Sequence, residues 1–320
     1  MPIVDQIHCR TAEAFLSILG RRHGHWAPDP QAWLFRGHGD SEWPLIPKAL
    51  RPDIACGVLP SNRRMIHTEY HEQIRAEYAT ICYYAMRLAE AGFAVPGLGA
   101  SWFTGATHNS LNNELQTAIE GRGPWLPDSL LPLAASAQHS GLPTRLLDWS
   151  LRPLHAAYFA ASHAAQQVAA KTDLGRHGPQ TRGKNLAVWA LNRYKLECIP
   201  RPDSRPPSFA PDFHAREISS PWSDHPNVRA QHGVFIMTFE RAAKHAAVVR
   251  TSLDVRLQQL LSALGLEPAF SGLFKRVTLP YSQAPRLLRF LGLEGITYSH
   301  LFPGHEGVAR AQLERRLYDE

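Results

Sequence analysis

At 320 residues, with 44 % hydrophobic and 9 % aromatic content, the chain is long enough to bury a substantial core and too apolar to be largely disordered. Its net charge of +6, to which 17 histidines add below neutral pH, suits an anionic partner such as a nucleotide, a dinucleotide or nucleic acid. The basic residues are spread along the chain with no long block of like charge, which argues against a dedicated nucleic-acid tail.

Behind Thr11 as N-cap, Ala14, Phe15, Ile18 and Leu19 fall at helical spacing and predict a short helix. Ala32 to Asp40 reads as an apolar strand that ends in a Gly-flanked polar loop and delivers Arg36 to that end. Glycine permits close approach and an arginine fork matches an anion, although a turn in which Arg36 bonds a carbonyl has the same pattern. Pro44 to Lys48 continues irregularly. From about Ser61 to Ala91 the pattern is helical: Ile66, Tyr70, Ile74, Tyr78, Ile81 and Met86 form the apolar side, and Glu69, Glu72, Arg75 and Glu77 fall mostly outside. Gly92 to Gly105 is looser, and helices follow at Ser110 to Ile119 and Leu130 to Gln138.

Gln138 to Ser150 concentrates polar residues around a short apolar core. Gly141 and Pro143 force a turn, Thr144 to Trp149 is extended, and Ser150 is placed to cap a helix whose first turn holds Pro153. Arg145 and Asp148 read either as an ion pair holding the turn or as catalytic groups. His139 and the later His232 read as structural histidines or as general acid–base groups. Gln166 to Lys184 is polar and reads as a loop, Leu186 to Leu191 as a buried strand, and Pro200 to Pro221, with six prolines, as a long loop. Asn227 to Phe239 reads as polar loop, glycine and strand; a further strand is expected at Phe274 to Leu279 and a helix capped by Ser282 at Ala284 to Leu291. Leu301 to Gly307 forms a turn before a closing amphipathic helix. The cysteines Cys9, Cys56, Cys82 and Cys198 are scattered without a C-x-x-C pair. No basic-then-apolar leader is seen, and no apolar run approaches the ~18 residues that span a bilayer. The expectation is a soluble cytoplasmic protein with reduced thiols and no membrane partner. No H-x-x-x-H or Cys/His pairing stands at His139 or His232 to make either a metal ligand, and no metal is expected there.

Three polar stations, Phe35-Arg36-Gly37, Gln138 to Ser150 and Arg229 to Gly233, resemble in order and spacing the FRG domain family, named for the triplet that stands here at 35–37. Leu301-Phe302-Pro303 resembles its closing motif, and the resemblance runs from about residue 30 to 310. His38 stands where family members often have Gln. The resemblance implies phage defence or a mobile element. The same stations also resemble the layout of toxin-type ADP-ribosyltransferases: an Arg-Gly at the end of a first core strand, a second strand running into an Ala-rich aromatic helix, another apolar strand, and a last strand carrying Glu or Gln. Here these would be Arg36-Gly37, Thr144 to Ser150 with Ala156 to Ala160, Leu186 to Leu191, and Gln231.

That layout implies an α+β fold: one domain with a central mixed β-sheet resembling the ADP-ribosyltransferase core and a helical insertion after the first core strand. The expected parts are a helical segment at 1–30, an insertion at about 60–138, and a sheet core at about 31–48 and 139–310. It implies an NAD-consuming ADP-ribosyltransferase-like enzyme or NAD glycohydrolase, acting as a toxin or anti-phage effector. The candidate catalytic residues are Arg36, Asp148, Gln231 and His139. The residues expected to hold NAD are Arg36, Gly37, Gln138, Thr144, Arg145, Trp149, Ser150 and Tyr158, with Trp149 or Tyr158 stacking on the nicotinamide. A protein or nucleic-acid acceptor and an antitoxin or defence partner complete the expectation. The alternatives are a nucleotide- or nucleic-acid-binding module, a nuclease among them, and a non-catalytic phage-sensing domain.

Overall fold

The computed structural model describes residues 2–20, 24–54, 67–97, 106–200, 213–219 and 226–318. In chain order the elements are β1 (Val4–His8), α1 (Ala12–Leu19), β2 (Trp33–His38), α2 (Tyr70–Glu90), α3 (Ala106–Ile119), α4 (Leu131–His139), β3 (Leu146–Ser150), α5 (Pro153–Leu174), β4 (Asn185–Asn192), α6 (Arg193–Glu197), β5 (Phe213–Ile218), α7 (Pro226–Gln231), β6 (Gly233–Glu240), α8 (Leu253–Ala263), β7 (Phe274–Pro280), α9 (Ala284–Leu293), α10 (Tyr298–Leu301) and α11 (His305–Glu314). The seven strands form one mixed sheet in the order β1-β7-β4-β2-β3-β6-β5, with β1 and β7 parallel and the remaining neighbours antiparallel. The α+β architecture expected from the sequence is therefore present.

Helices cover the sheet because the strands carry apolar residues to both of its faces. One core cluster joins α1, α5 and α9 to Phe35, Val188 and Val277; a second joins α2, α3 and α4 to Leu146 and Phe235; a third joins α8 to Leu34, Leu147, Trp189 and Ile236. Helix α5 approaches the sheet closely through fully buried alanines, Ala157, Ala160, Ala161 and Ala164 among them. Gly37 makes this possible. A Cβ there would meet the Ala156 carbonyl oxygen at 2.0 Å.

Several boundaries differ from the sequence reading. The N-terminal segment contributes an edge strand ahead of the expected helix, where Thr11 caps α1 by accepting the Ala14 N–H at 3.3 Å. Ser150 closes β3 instead of capping α5; the cap position is Arg152, and Pro153 does lie in the first turn. Helix α5 runs on to Leu174 through part of the expected loop. The proline-rich stretch contains β5, and α7 replaces the polar loop before β6. Helix α8 had no counterpart in the sequence reading. The start of the long helix at Ser61 to Ile66, Cys56 and most of the proline-rich loop lie outside the described residues.

Candidate functional site

The sheet parts at its middle. Strand β2 pairs with β4 along its whole length but with β3 only where Phe35 meets Ser150. Beyond that rung a cleft of about 300 Å³ opens, at the lower end of the usual range for ligand sites. Its walls come from Arg36 and Gly37, from Gln138, His139, Asp148, Trp149 and Ser150, from Asn227 and Gln231, and from Phe159 and Phe302. All three polar stations and the terminal Leu-Phe-Pro segment thus meet at one place.

Arg36 bridges the parted strands. Its Nη1 donates to the Asp148 carbonyl oxygen at 2.6 Å and lies 3.6 Å from Asp148 Oδ2. The carbonyl bond offered as the structural alternative for Arg36 is therefore made, and the arginine also faces the cleft. Its Nε donates to His38 Nε2 at 3.1 Å, and His38 Nδ1 donates to the Trp43 carbonyl at 3.1 Å, which assigns the tautomer. Burial, and then the Arg36 charge, hold the His38 pKa well below the ordinary value, so the ring accepts from Arg36 as a neutral imidazole. Burial likewise lowers the Arg36 pKa, Asp148 opposing and Arg51 adding to the shift.

A short polar chain aims the carboxylate. Leu146 N–H donates to Thr144 Oγ1 at 3.2 Å, and the Thr144 hydroxyl donates to Gln138 Oε1 at 2.7 Å. The Gln138 amide then presents its Nε2 to Asp148 Oδ2 at 2.9 Å. Thr144 itself is buried, so its part is to orient Gln138 and not to meet a ligand. Asp148 remains 53 % exposed at the cleft mouth while Arg36 is 14 % exposed.

On the far wall Ser150 Oγ donates to the Gln231 carbonyl at 2.7 Å and accepts the Arg152 N–H at 3.0 Å. His155 Nδ1 reaches the same carbonyl at 3.0 Å, and Gln231 Nε2 donates to the Leu301 carbonyl at 3.2 Å. Gln231 therefore ends a helix instead of standing on the last strand, and half its amide is spent on α10. Burial pushes the His155 pKa down to about 4, with the Gln231 carbonyl opposing and the neighbouring His232 and His300 adding to the fall. His232 packs on His155, with ring centres 5.4 Å apart, and is not among the cleft residues. His139 lines the cleft and packs its ring edge-on against Phe235.

Two expected ligand-holding residues, Arg145 and Tyr158, face elsewhere, and a third, Trp149, is buried in the cleft wall. Arg145 is 1 % exposed and bonds Glu77 Oε2 at 2.6 Å and Glu240 Oε2 at 3.3 Å, so it makes a buried ion network and not a pair with Asp148. Burial disfavours its charge, but Glu77, Tyr70 and Glu240 outweigh that and raise its pKa. Tyr158 turns away to donate to Glu314 Oε2 at 2.6 Å, and its neighbour Phe159 lines the cleft instead. Trp149 is only 3 % exposed and belongs to the buried cluster of Leu147, Val234 and Ile236, so its main part is in the core behind the cleft wall. Sequence reasoning also missed Glu77, which is buried on α2 in line with Tyr70, Ile74 and Ile81. That spacing placed it on the apolar side, a signal open to reading. His38 is marked only by standing where FRG-family members often have Gln, and Phe159 and Asn227 carry no comparable mark.

Residues 31–169 match the family model of the FRG domain. Over that span the chain carries an FRG domain. The matched span of that FRG domain holds Arg36, Gln138 and Asp148; Gln231 and Phe302 come from outside it. No curated protein matches the chain, and no solved structure does.

Proposed function

We propose that the cleft binds NAD and breaks its N-glycosidic bond, as an ADP-ribosyltransferase-like enzyme or an NAD glycohydrolase. The observation that carries this is Asp148, a carboxylate exposed at the cleft mouth and aimed by Arg36 and Gln138. Departure of nicotinamide builds positive charge on the ribose. A carboxylate fixed beside the 2′-OH stabilises that charge more in the transition state than in the ground state. Asp148 suits this role better than Gln231, whose neutral amide already donates to Leu301. Phe159 and Phe302, their ring centres 6.1 Å apart, offer an apolar wall for a heteroaromatic ring. Arg36 supplies the positive charge for a phosphate or ribose oxygen.

The FRG family extends the reading to a cytoplasmic toxin or anti-phage effector with a protein or nucleic-acid acceptor and an antitoxin or defence partner. Among the described residues no helix is long and apolar enough to cross a membrane. The test incubates purified protein with NAD, alone and with cell lysate, and follows nicotinamide by chromatography. Release by the parent chain and none by Asp148→Asn, with unchanged circular dichroism, is the expected result. Absence of nicotinamide and of any ADP-ribose adduct under both conditions would end the proposal. RNA or DNA binding that weakens steeply with salt would then favour the nucleic-acid reading.

A further inference from the structure

A second cluster of chemistry-bearing side chains lies at the start of the helical insertion, apart from the cleft residues. The chain just before α2 is zipped to the connection between β6 and α8. Glu69 and Ala247 form an antiparallel bridge, Tyr70 N–H bonds the Ala246 carbonyl at 2.8 Å, and Val248 N–H bonds the Thr68 carbonyl at 2.9 Å. This pairing brings Glu69, His71 and His245 together from segments far apart in sequence. His71 Nδ1 lies 3.2 Å and His245 Nδ1 2.8 Å from the same carboxylate oxygen, Glu69 Oε2. All three donor atoms fall within 4.8 Å of one another. The imidazole rings stand 5.1 Å apart at 75°, so their nitrogens converge from different planes.

We propose that Glu69, His71 and His245 form a binding site for a divalent transition-metal cation of the zinc class. Tetrahedral zinc with bonds of about 2.0–2.2 Å to nitrogen and oxygen sets neighbouring donor atoms roughly 3.3 Å apart, a spacing these atoms reach with small side-chain movements. Two imidazoles and one carboxylate suit zinc, cobalt, nickel or copper; magnesium and calcium prefer an all-oxygen set. The site is open on one side, since the His245 side chain is 69 % exposed and Glu69 43 %, and water would complete the coordination. Without metal the same atoms satisfy one another, and His71 Nδ1 also donates to the Lys244 carbonyl at 2.8 Å. To ligate, each of these imidazoles would present a bare Nδ1, with its remaining proton on Nε2, and the hydrogen bonds to Glu69 and Lys244 would give way to the metal bonds. The cation would then clamp the beginning of α2 to the segment that leaves β6. This site is independent of the proposed reaction.

The test strips the full chain with a chelator and dialyses it against micromolar free Zn²⁺, alongside His245→Ala and Glu69→Gln. Both substitutions fall at exposed positions, and unfolding without zinc reports whether the fold is kept. The expected result is one Zn²⁺ per parent chain, binding weakened at least about tenfold in each variant, and a zinc-dependent rise in melting temperature confined to the parent. Equal zinc uptake by parent and variants would overturn the site, since it would assign the metal to other histidines. So would an absence of uptake, or an equal melting shift from Mg²⁺.

Discussion

Two arginine–carboxylate clusters in this protein draw on one short stretch, Arg145 to Asp148, and their fates are opposite. Around Arg145 everything is closed. Glu77 and Glu240 are 3 % and 5 % exposed, Trp125 Nε1 donates to Glu77 at 2.7 Å, and Arg256 bonds Glu240 at 3.1 Å. Around Asp148 the carboxylate is held from one side and open on the other. Access to solvent decides between scaffold and site. Both clusters have charge and hydrogen bonds, but only one keeps an acceptor facing solvent, where it can exchange its neighbours for a ligand. The closed cluster ties α2, the start of the insertion, to β3 and β6, and so fixes the strand from which Asp148 projects.

Removing one member of the closed cluster should have the largest effect on stability. Arg145→Ala strands two buried carboxylates and should cost about 3–5 kcal/mol in urea unfolding. A loss under about 1 kcal/mol would mean that water reaches the network and that the two clusters are alike.

Acid offers the next probe. His155 has its ordinary value of 6.5 in the unfolded chain and about 4 in the fold, so between those pH values the unfolded state holds more protons. Its contribution is complete above pH 6.5 and is lost as pH falls toward 4, a change on the order of 3 kcal/mol. His38 acts in the same direction. His155→Gln should flatten the slope of unfolding free energy against pH in that window; an unchanged slope would point to other groups.

Gly37→Ala should cost about 1–3 kcal/mol, because the new methyl meets backbone of α5 and not a side chain that can move aside. A lowered melting temperature with intact NAD turnover would divide packing from chemistry at this residue. Asp148→Asn should change stability by under about 1 kcal/mol, as expected for a half-exposed pair, while abolishing nicotinamide release. If it destabilised as much as Arg145→Ala, the contrast between open and closed clusters would fail.

The regular parts of this fold were legible because periodicity is local. The apolar runs of β2, β4, β6 and β7 and the spacing of α2 and α9 identify those elements without knowledge of their partners. Edge strands were harder. Val4–His8 and Phe213–Ile218 carry few fully buried residues and acquire strand geometry from β7 and β6, which no local pattern reports. At the site, Arg36, Gln138, Asp148 and Ser150 announced themselves by sitting among turn-forming residues, and the stations do converge. What could not be read was direction. Tyr158 and Phe159 are adjacent, and a rotation of one helical step decides which ring meets the cleft. Arg145 could be paired only by knowing that Glu77, 68 positions away, lies on the buried face.

The single rung between Phe35 and Ser150 has a mechanical consequence. A continuous ladder would transmit stiffness across the sheet, but here β1-β7-β4-β2 and β3-β6-β5 are two plates joined at one seam point. Beyond that point the seam is stitched by Arg36 reaching the Asp148 carbonyl and backed by α5 lying across it. The arginine that faces the cleft is thus also the stitch that sets its width. A ligand that drew the guanidinium away would loosen the seam as it bound, and amide hydrogen exchange along 35–38 and 146–150 would record it.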